Sequence, residues 1–186
     1  IFYSDNGGLS FMQINPQTQT HRSGNATAIE GRANLRELGW TSRDWTVGAW
    51  WRDVSSGYSV ARADLGYPVR EYGFEYAGQV REDIRIAGRY SKSERGTDAL
   101  EQAQAQIDWR LAEHSDLIAE IRRVTETYQG NSGTGTLAAL GYTRRLIGTL
   151  DVYGTGQITL DDDGGAYPRN NAATVGAKYQ FANQSS

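Results

Sequence analysis

Hydrophobic and polar positions alternate from Tyr72 to Tyr90. Tyr72, Phe74, Tyr76, Gly78 and Val80 fall on one parity; Glu71, Gly73, Glu75, Ala77 and Gln79 fall on the other. Side chains two residues apart share a face of a β-strand, so this period predicts a strand and not a helix. After Arg81-Glu82-Asp83 the pattern resumes, with Ile84, Ile86, Gly88 and Tyr90 set against Arg85, Ala87, Arg89 and Ser91. Two such runs with a tight polar connection predict a hairpin.

The same alternation recurs along the chain. Thr27–Arg36 opposes Ile29, Gly31, Ala33 and Leu35 to Glu30, Arg32, Asn34 and Arg36, and Asp44–Asp53 opposes Trp45, Val47, Ala49 and Trp51 to Thr46, Gly48, Trp50 and Arg52. Further strands are predicted over Tyr58–Tyr67, Leu100–Leu111, Asp116–Thr127, Thr149–Leu160 and Ala172–Phe181. Leu137–Arg144 alternates poorly and is predicted as a strand without assigned faces. With the hairpin, about ten strands result. Loss of phase at Arg123-Val124 predicts a bulge. Leu100–Glu113 has helix-favouring Gln, Ala and Glu, yet Ala103, Ala105, Ile107, Trp109 and Leu111 keep the spacing of a strand.

Residues 1–26 are expected to form an N-terminal hairpin or linker, turning at Asp5-Asn6-Gly7-Gly8, ahead of a β-barrel spanning residues 27–186. Short turns are expected near residues 55, 82, 114 and 146. Longer polar loops are expected at Ser91–Asp98, Gln129–Thr134 and Asp161–Asn171. Short and long connections in alternation are the habit of bacterial outer-membrane barrels.

Composition narrows the field. The 186 residues are 38% hydrophobic but 11% aromatic, with 22 glycines and 3 prolines. The apolar supply is below the roughly 45–50% of globular domains, counted on a slightly different residue set. No run of about 18 apolar residues exists, so no membrane-spanning helix is expected. A tilted barrel strand needs only about 9–11 residues, half of them facing lipid. The absence of cysteine removes disulfides and thiolate chemistry. A net charge of −3 without a basic cluster points away from nucleic acid. All but Lys92 and Lys178 of the 19 basic residues are arginine, which suits fixed charge pairing.

The two parities differ in kind. The apolar one is aromatic near strand ends and small in the middle; Trp45, Trp51, Tyr67, Tyr72, Tyr90, Trp109, Tyr179 and Phe181 are the expected aromatic girdle of a bilayer-spanning band. The polar parity carries Arg32, Arg36, Arg52, Arg62, Asp64, Glu71, Glu75, Arg85, Arg89, Asp108, Arg110, Glu120, Arg122, Asp151 and Lys178, expected to line a lumen and to pair across neighbouring strands. Trp50 and Tyr153 share that parity and would narrow it. The fold expected is all-β, an antiparallel up-and-down transmembrane β-barrel.

Two stretches carry a family resemblance. Val175-Gly176-Ala177-Lys178-Tyr179-Gln180-Phe181 resembles the C-terminal insertion signal of outer-membrane proteins, although Ala182–Ser186 follow it. Val152-Tyr153-Gly154-Thr155-Gly156-Gln157 with Leu160–Gly165, and Tyr72–Tyr76 followed by Asp83–Ser91, resemble the outer-membrane β-barrel domain at the C-terminal end of large repeat-containing bacterial surface proteins. That resemblance implies that residues 183–186 form a periplasmic turn and that the chain is part of a larger barrel.

Catalytic chemistry is poorly supplied. His21 and His114 fall in a linker and a turn, and Ser115 and Asp116, though adjacent to His114, do not converge as a triad by adjacency. The chain is not expected to be an enzyme, and no cofactor or metal is expected. Asp161-Asp162-Asp163-Gly164-Gly165 offers oxygen ligands for calcium or for a divalent ion bridging lipopolysaccharide, but lacks the spaced ligands of an EF-hand. The function expected is an outer-membrane barrel serving as anchor or passage for a larger surface or secretion assembly, in contact with outer-membrane lipid, lipopolysaccharide and other envelope proteins. A stand-alone small porin and a soluble β-barrel binding an apolar ligand are the alternatives.

Overall fold

Every described strand of this protein pairs with its neighbour in sequence. The computed structural model describes residues 2–5, 23–58, 67–163 and 169–180, with side chains from Ser23 onward. Ten strands form a single sheet in chain order: β1 (Phe2–Asp5), β2 (Ser23–Asn34), β3 (Trp45–Val54), β4 (Val69–Arg81), β5 (Ile84–Arg95), β6 (Asp98–Ala112), β7 (Ser115–Tyr128), β8 (Asn131–Ile147), β9 (Leu150–Asp163) and β10 (Ala172–Tyr179). All neighbouring pairs are antiparallel. The architecture is an all-β, up-and-down sheet without helices among the described residues. Between the described strands it is open, since β1 and β10 each have one neighbour.

The strands outrun their sequence signals. The polar loops expected at Ser91–Asp98 and Gln129–Thr134 are instead strand joined by two-residue turns, 96–97 and 129–130. Ser91, Ser93, Thr134 and Thr136 continue the ladders. A polar side chain does not end a strand whose backbone groups find partners on both sides. Positive φ values sit where two-residue hairpins need them, at Gly96 (63°), Gln129 (51°) and Gly130 (81°). Residues 82–83, 113–114 and 148–149 make the turns at the opposite end of the sheet.

Other expectations are corrected by pairing. β3 pairs directly with β4 from Trp45↔Gly78 to Val54↔Val69. A strand over Tyr58–Tyr67 therefore has no place between them in this sheet, and residues 59–66 lie outside the described residues. The connection expected to be short near residue 55 extends from 55 to 68. No bulge occurs at Arg123-Val124, where β7 pairs in step with β6 and β8; the register shifts instead at Gln79/Arg81, Arg110/Ala112, Thr136/Leu137 and Arg145/Ile147. Phe2–Asp5 pairs with Ser23–Ala26, and the turn expected at residues 5–8 lies largely outside the described residues. Asp161–Asp163 belong to β9 rather than to a loop.

Among the described residues no hydrophobic core underlies the sheet. Among the described residues the buried apolar side chains are Ala26 and Val69, and no large side chain is fully enclosed. Large apolar side chains lie open, among them Val175 at 87% exposure, Leu140 at 53%, Phe74 at 51% and Ile121 at 46%.

Candidate functional site

Ladder partners directly opposite one another share a face, so the register assigns faces without appeal to the alternation. One row runs Arg32, Gly48, Glu75, Arg89, Gln104, Arg122 from β2 to β7. Arg52 faces Glu71, Arg85 faces Asp108, Gln106 faces Glu120, Arg110 faces Asp116 and Asp151 faces Lys178 on the same side. The polar parity is thus one continuous surface. Of the residues expected there, Arg36 lies instead in the connection at 35–44, paired with Asp44 at 3.1 Å, and Arg62 and Asp64 lie outside the described residues.

The opposite face gathers Trp45, Trp51, Tyr72, Tyr90, Trp109 and Tyr179. Tyr67 lies in the connection preceding β4, and Phe181 is outside the described residues. Tyr142, which the weak alternation of β8 concealed, joins this face opposite Leu117 and Gly154. Ile86, Ile107, Ala119, Leu140 and Gly156 form one of its rows.

The border of that apolar face is oblique. Its last charged residue before the uncharged band, counted inward from the end carrying turns 96–97 and 129–130, is Asp53 on β3, Arg70 on β4, Lys92 on β5, Glu101 on β6 and Arg123 on β7. Asp53 faces Arg70, but Lys92 faces Tyr72, and Arg123 faces Ala103. The border moves four residues along the strands while crossing four strand intervals. At about 3.4 Å per residue and 4.8 Å per interval, this inclines it by roughly 35° to the ladders, near the tilt of barrel strands. It levels at β9, where Asp161 faces Thr136, the partner of Arg123, beside a register shift.

Aromatic rings fold over glycines across the ladders. A Cβ added at Gly78 would meet Trp45 at 2.1 Å, at Gly88 would meet Tyr76 at 2.6 Å, at Gly73 would meet Trp50 at 2.4 Å and at Gly176 would meet Tyr153 at 2.4 Å. Each ring covers the backbone of its direct partner. The first two pairs stand on the apolar face, the last two on the polar face.

On the polar face, ion pairs link neighbouring strands and, in one case, reach across an intervening strand. Arg32 pairs with Glu75, Arg52 with Glu71 at 3.3 Å, Arg110 with Asp116 at 3.9 Å and Arg145 with Asp151 at 2.8 Å. Glu71 also receives Arg95 at 3.5 Å and the Ser93 hydroxyl at 3.4 Å. Arg122 pairs with Glu120 along its own strand at 3.0 Å. Arg95 and Arg145 were hidden by the expectation of a loop and a turn at their positions; for Arg95 the parity shared with Arg85 and Arg89 was the available signal. The Arg89 guanidinium lies over the Trp50 ring, 4.9 Å from its centroid.

This face holds two adjoining concavities. One of about 490 Å³ is lined by Arg32, Glu75, Arg85, Arg89, Gln104 and Gln106, with Thr46, Ala77 and Ala87. The other, of about 600 Å³, reaches Asp83, Asp108, Arg110 and Asp116. His114 sits in a two-residue turn, its carbonyl accepting from the Arg145 amide at 2.9 Å. No group of three or more His, Asp or Glu able to hold a metal occurs among the described residues.

No protein-family model matches the chain, and no curated protein matches it. Among solved structures it is similar to the loop L8 deletion mutant of OmpT, an outer membrane protein of Vibrio cholerae, with 18% identity and a TM-score of 0.49. The match covers 89% of this chain and 56% of the other, so the chain spans little more than half the length of that protein.

Proposed function

We propose that this chain is the lipid-embedded sheet of a bacterial outer-membrane β-barrel, serving as anchor or passage for a larger surface or secretion assembly. The observation that carries it is a broad apolar face, bordered obliquely by charge and edged by Trp and Tyr, that no part of the described protein covers. In water, a patch of that breadth on a monomer drives association. Hydrocarbon tails cover it at no cost, and each Leu, Ile or Phe withdrawn from water gains roughly 1.5–3 kcal/mol. The charged face then lines the interior, where its ion pairs replace water around the arginines. Outer-membrane lipid and lipopolysaccharide are the partners of the apolar face. The large repeat-bearing surface proteins that the sequence resembles are the assembly for which such a barrel is the anchor.

Expression with an outer-membrane export signal, followed by fractionation and gel electrophoresis with and without heating, tests this. The expected result is recovery in the outer-membrane fraction, extraction only by detergent, and a faster-migrating unheated form. A monodisperse, detergent-free protein in the soluble fraction would overturn it. The passage role is favoured over a purely mechanical anchor by the two concavities on the charged face; stepwise conductance in a planar bilayer separates the two.

A further inference from the structure

We propose that the 490 Å³ concavity on the polar face binds a small dissolved oxyanion, such as phosphate, between Arg85 and Arg89. Arg32, Arg85 and Arg89 line it, and Glu75 is the one acid among its lining residues. That acid is already engaged by Arg32, two strands away. Arg89, although Glu75 is its direct ladder partner, turns its guanidinium onto Trp50 instead. A ring contact occupies the flat π-face of a guanidinium and leaves its in-plane N–H groups free to donate.

Arg85 is likewise left without a carboxylate among the described residues. Its ladder partner Asp108 accepts from the Gln106 amide at 2.7 Å and lines the neighbouring concavity, which Arg85 also borders. Arg85 and Arg89 straddle Ala87, whose partners are Ala77 and Gln106. The floor between the two arginines is therefore small-sided where Ala77 and Ala87 meet, and both arginines line the concavity above it. Gln104, the partner of Arg89, adds amide donors at the rim.

The chemistry selects an oxyanion. Planar guanidinium groups bind two oxygens at once, with charge-assisted hydrogen bonds about twice as strong as neutral ones. A spherical halide uses neither the fork nor the amides. The site stands on the polar face alone, so it does not depend on what covers the other face.

Titration of inorganic phosphate into the detergent-purified chain, followed by calorimetry, tests the site, with far-UV circular dichroism on the same samples reporting the fold. Wild type is expected to bind phosphate, more weakly as sodium chloride rises. The double variant R85Q/R89Q is expected to lose about tenfold or more in affinity, whereas R145Q, altered at a distant ion pair, is expected to leave affinity unchanged. Folded wild type that binds no phosphate, or R85Q/R89Q that binds as wild type does, overturns the proposal. So does displacement by short-chain phosphatidylglycerol but not by inorganic phosphate, which would make the ligand a lipid headgroup. A chain soluble without detergent that still binds phosphate through Arg85 and Arg89 would sink the membrane function and leave the site standing.

Discussion

Arg32 on β2 and Glu75 on β4 form an ion pair across the intervening strand, over Gly48. Gly48 is the ladder partner of both, and a Cβ built there would lie 3.3 Å from Glu75 Cγ and 3.4 Å from its Oε1. The absence of a side chain on β3 is what lets an arginine reach past its neighbour. The result reaches to β5: with Glu75 held by Arg32, Arg89 is free of it and stacks on Trp50.

Substitution at this crossing should move anion binding in both directions. Gly48→Leu fills the gap, frees Glu75 from Arg32 and returns it to its ladder partner Arg89. Phosphate affinity should fall. Glu75→Gln removes the one acid that lines the concavity among the described residues, and affinity should rise. Calorimetry on both variants checks the pair; an equal effect of the same sign from both would contradict this account.

The apolar face should refuse charge. Leu140 lies amid the row Ile107, Ala119, Leu140, Gly156. In a bilayer, Leu140→Arg is expected to destabilise the folded barrel by about 2–4 kcal/mol, read as a lowered urea midpoint for unfolding from liposomes. Gln104→Arg, on the polar face, should change that midpoint little. Were the apolar face exposed to water, Leu140→Arg would be close to neutral, since Leu140 is half exposed already.

Glycines beneath rings should be irreplaceable where other glycines are not. A Cβ at Gly78 would meet the Trp45 ring at 2.1 Å, whereas one at Gly156 meets nothing within 4 Å. Gly78→Val should therefore cost about 1–3 kcal/mol, the range for overpacking, and displace Trp45. Gly156→Val should be neutral or stabilising, because a β-branched residue suits a strand. Urea unfolding followed by tryptophan fluorescence distinguishes the two.

The β7–β8 hairpin carries a removable cost. Gln129 and Gly130 both have positive φ, 51° and 81°, the requirement of a type I′ turn. A left-handed residue other than glycine costs roughly 1–2 kcal/mol, less for Asn. Gln129→Asn or Gln129→Gly should stabilise the fold by up to about 1 kcal/mol, and Gly130→Val should destabilise it by at least as much. Unfolding midpoints of the three variants should rank in that order.

Much of the sheet was legible in the chain. The parity of Tyr72, Phe74 and Tyr76 against Glu71 and Glu75 placed each residue on the face where the ladders hold it, because alternation is a property of a single extended strand and needs no partner. What single strands do not encode is where pairing stops. Ser91, Ser93 and Arg95 looked like loop, yet they are strand because β4 and β6 supply hydrogen-bonding partners on both sides. Gly48, Gly73 and Gly78 read as neutral spacers in sequence. Only the register reveals that an ion pair crosses the first and that indole rings cover the others.

The sequence by itself thus determined the class of fold, the antiparallel order and the division of side chains between two faces, since each follows from local geometry and the spacing of turns. The tertiary structure decided the length of the strands, the direct pairing of β3 with β4, the slope of the apolar border and, among the described residues, the freedom of Arg85 and Arg89 from carboxylates. These depend on which residue stands opposite which across a ladder, and that choice is made between strands distant in sequence.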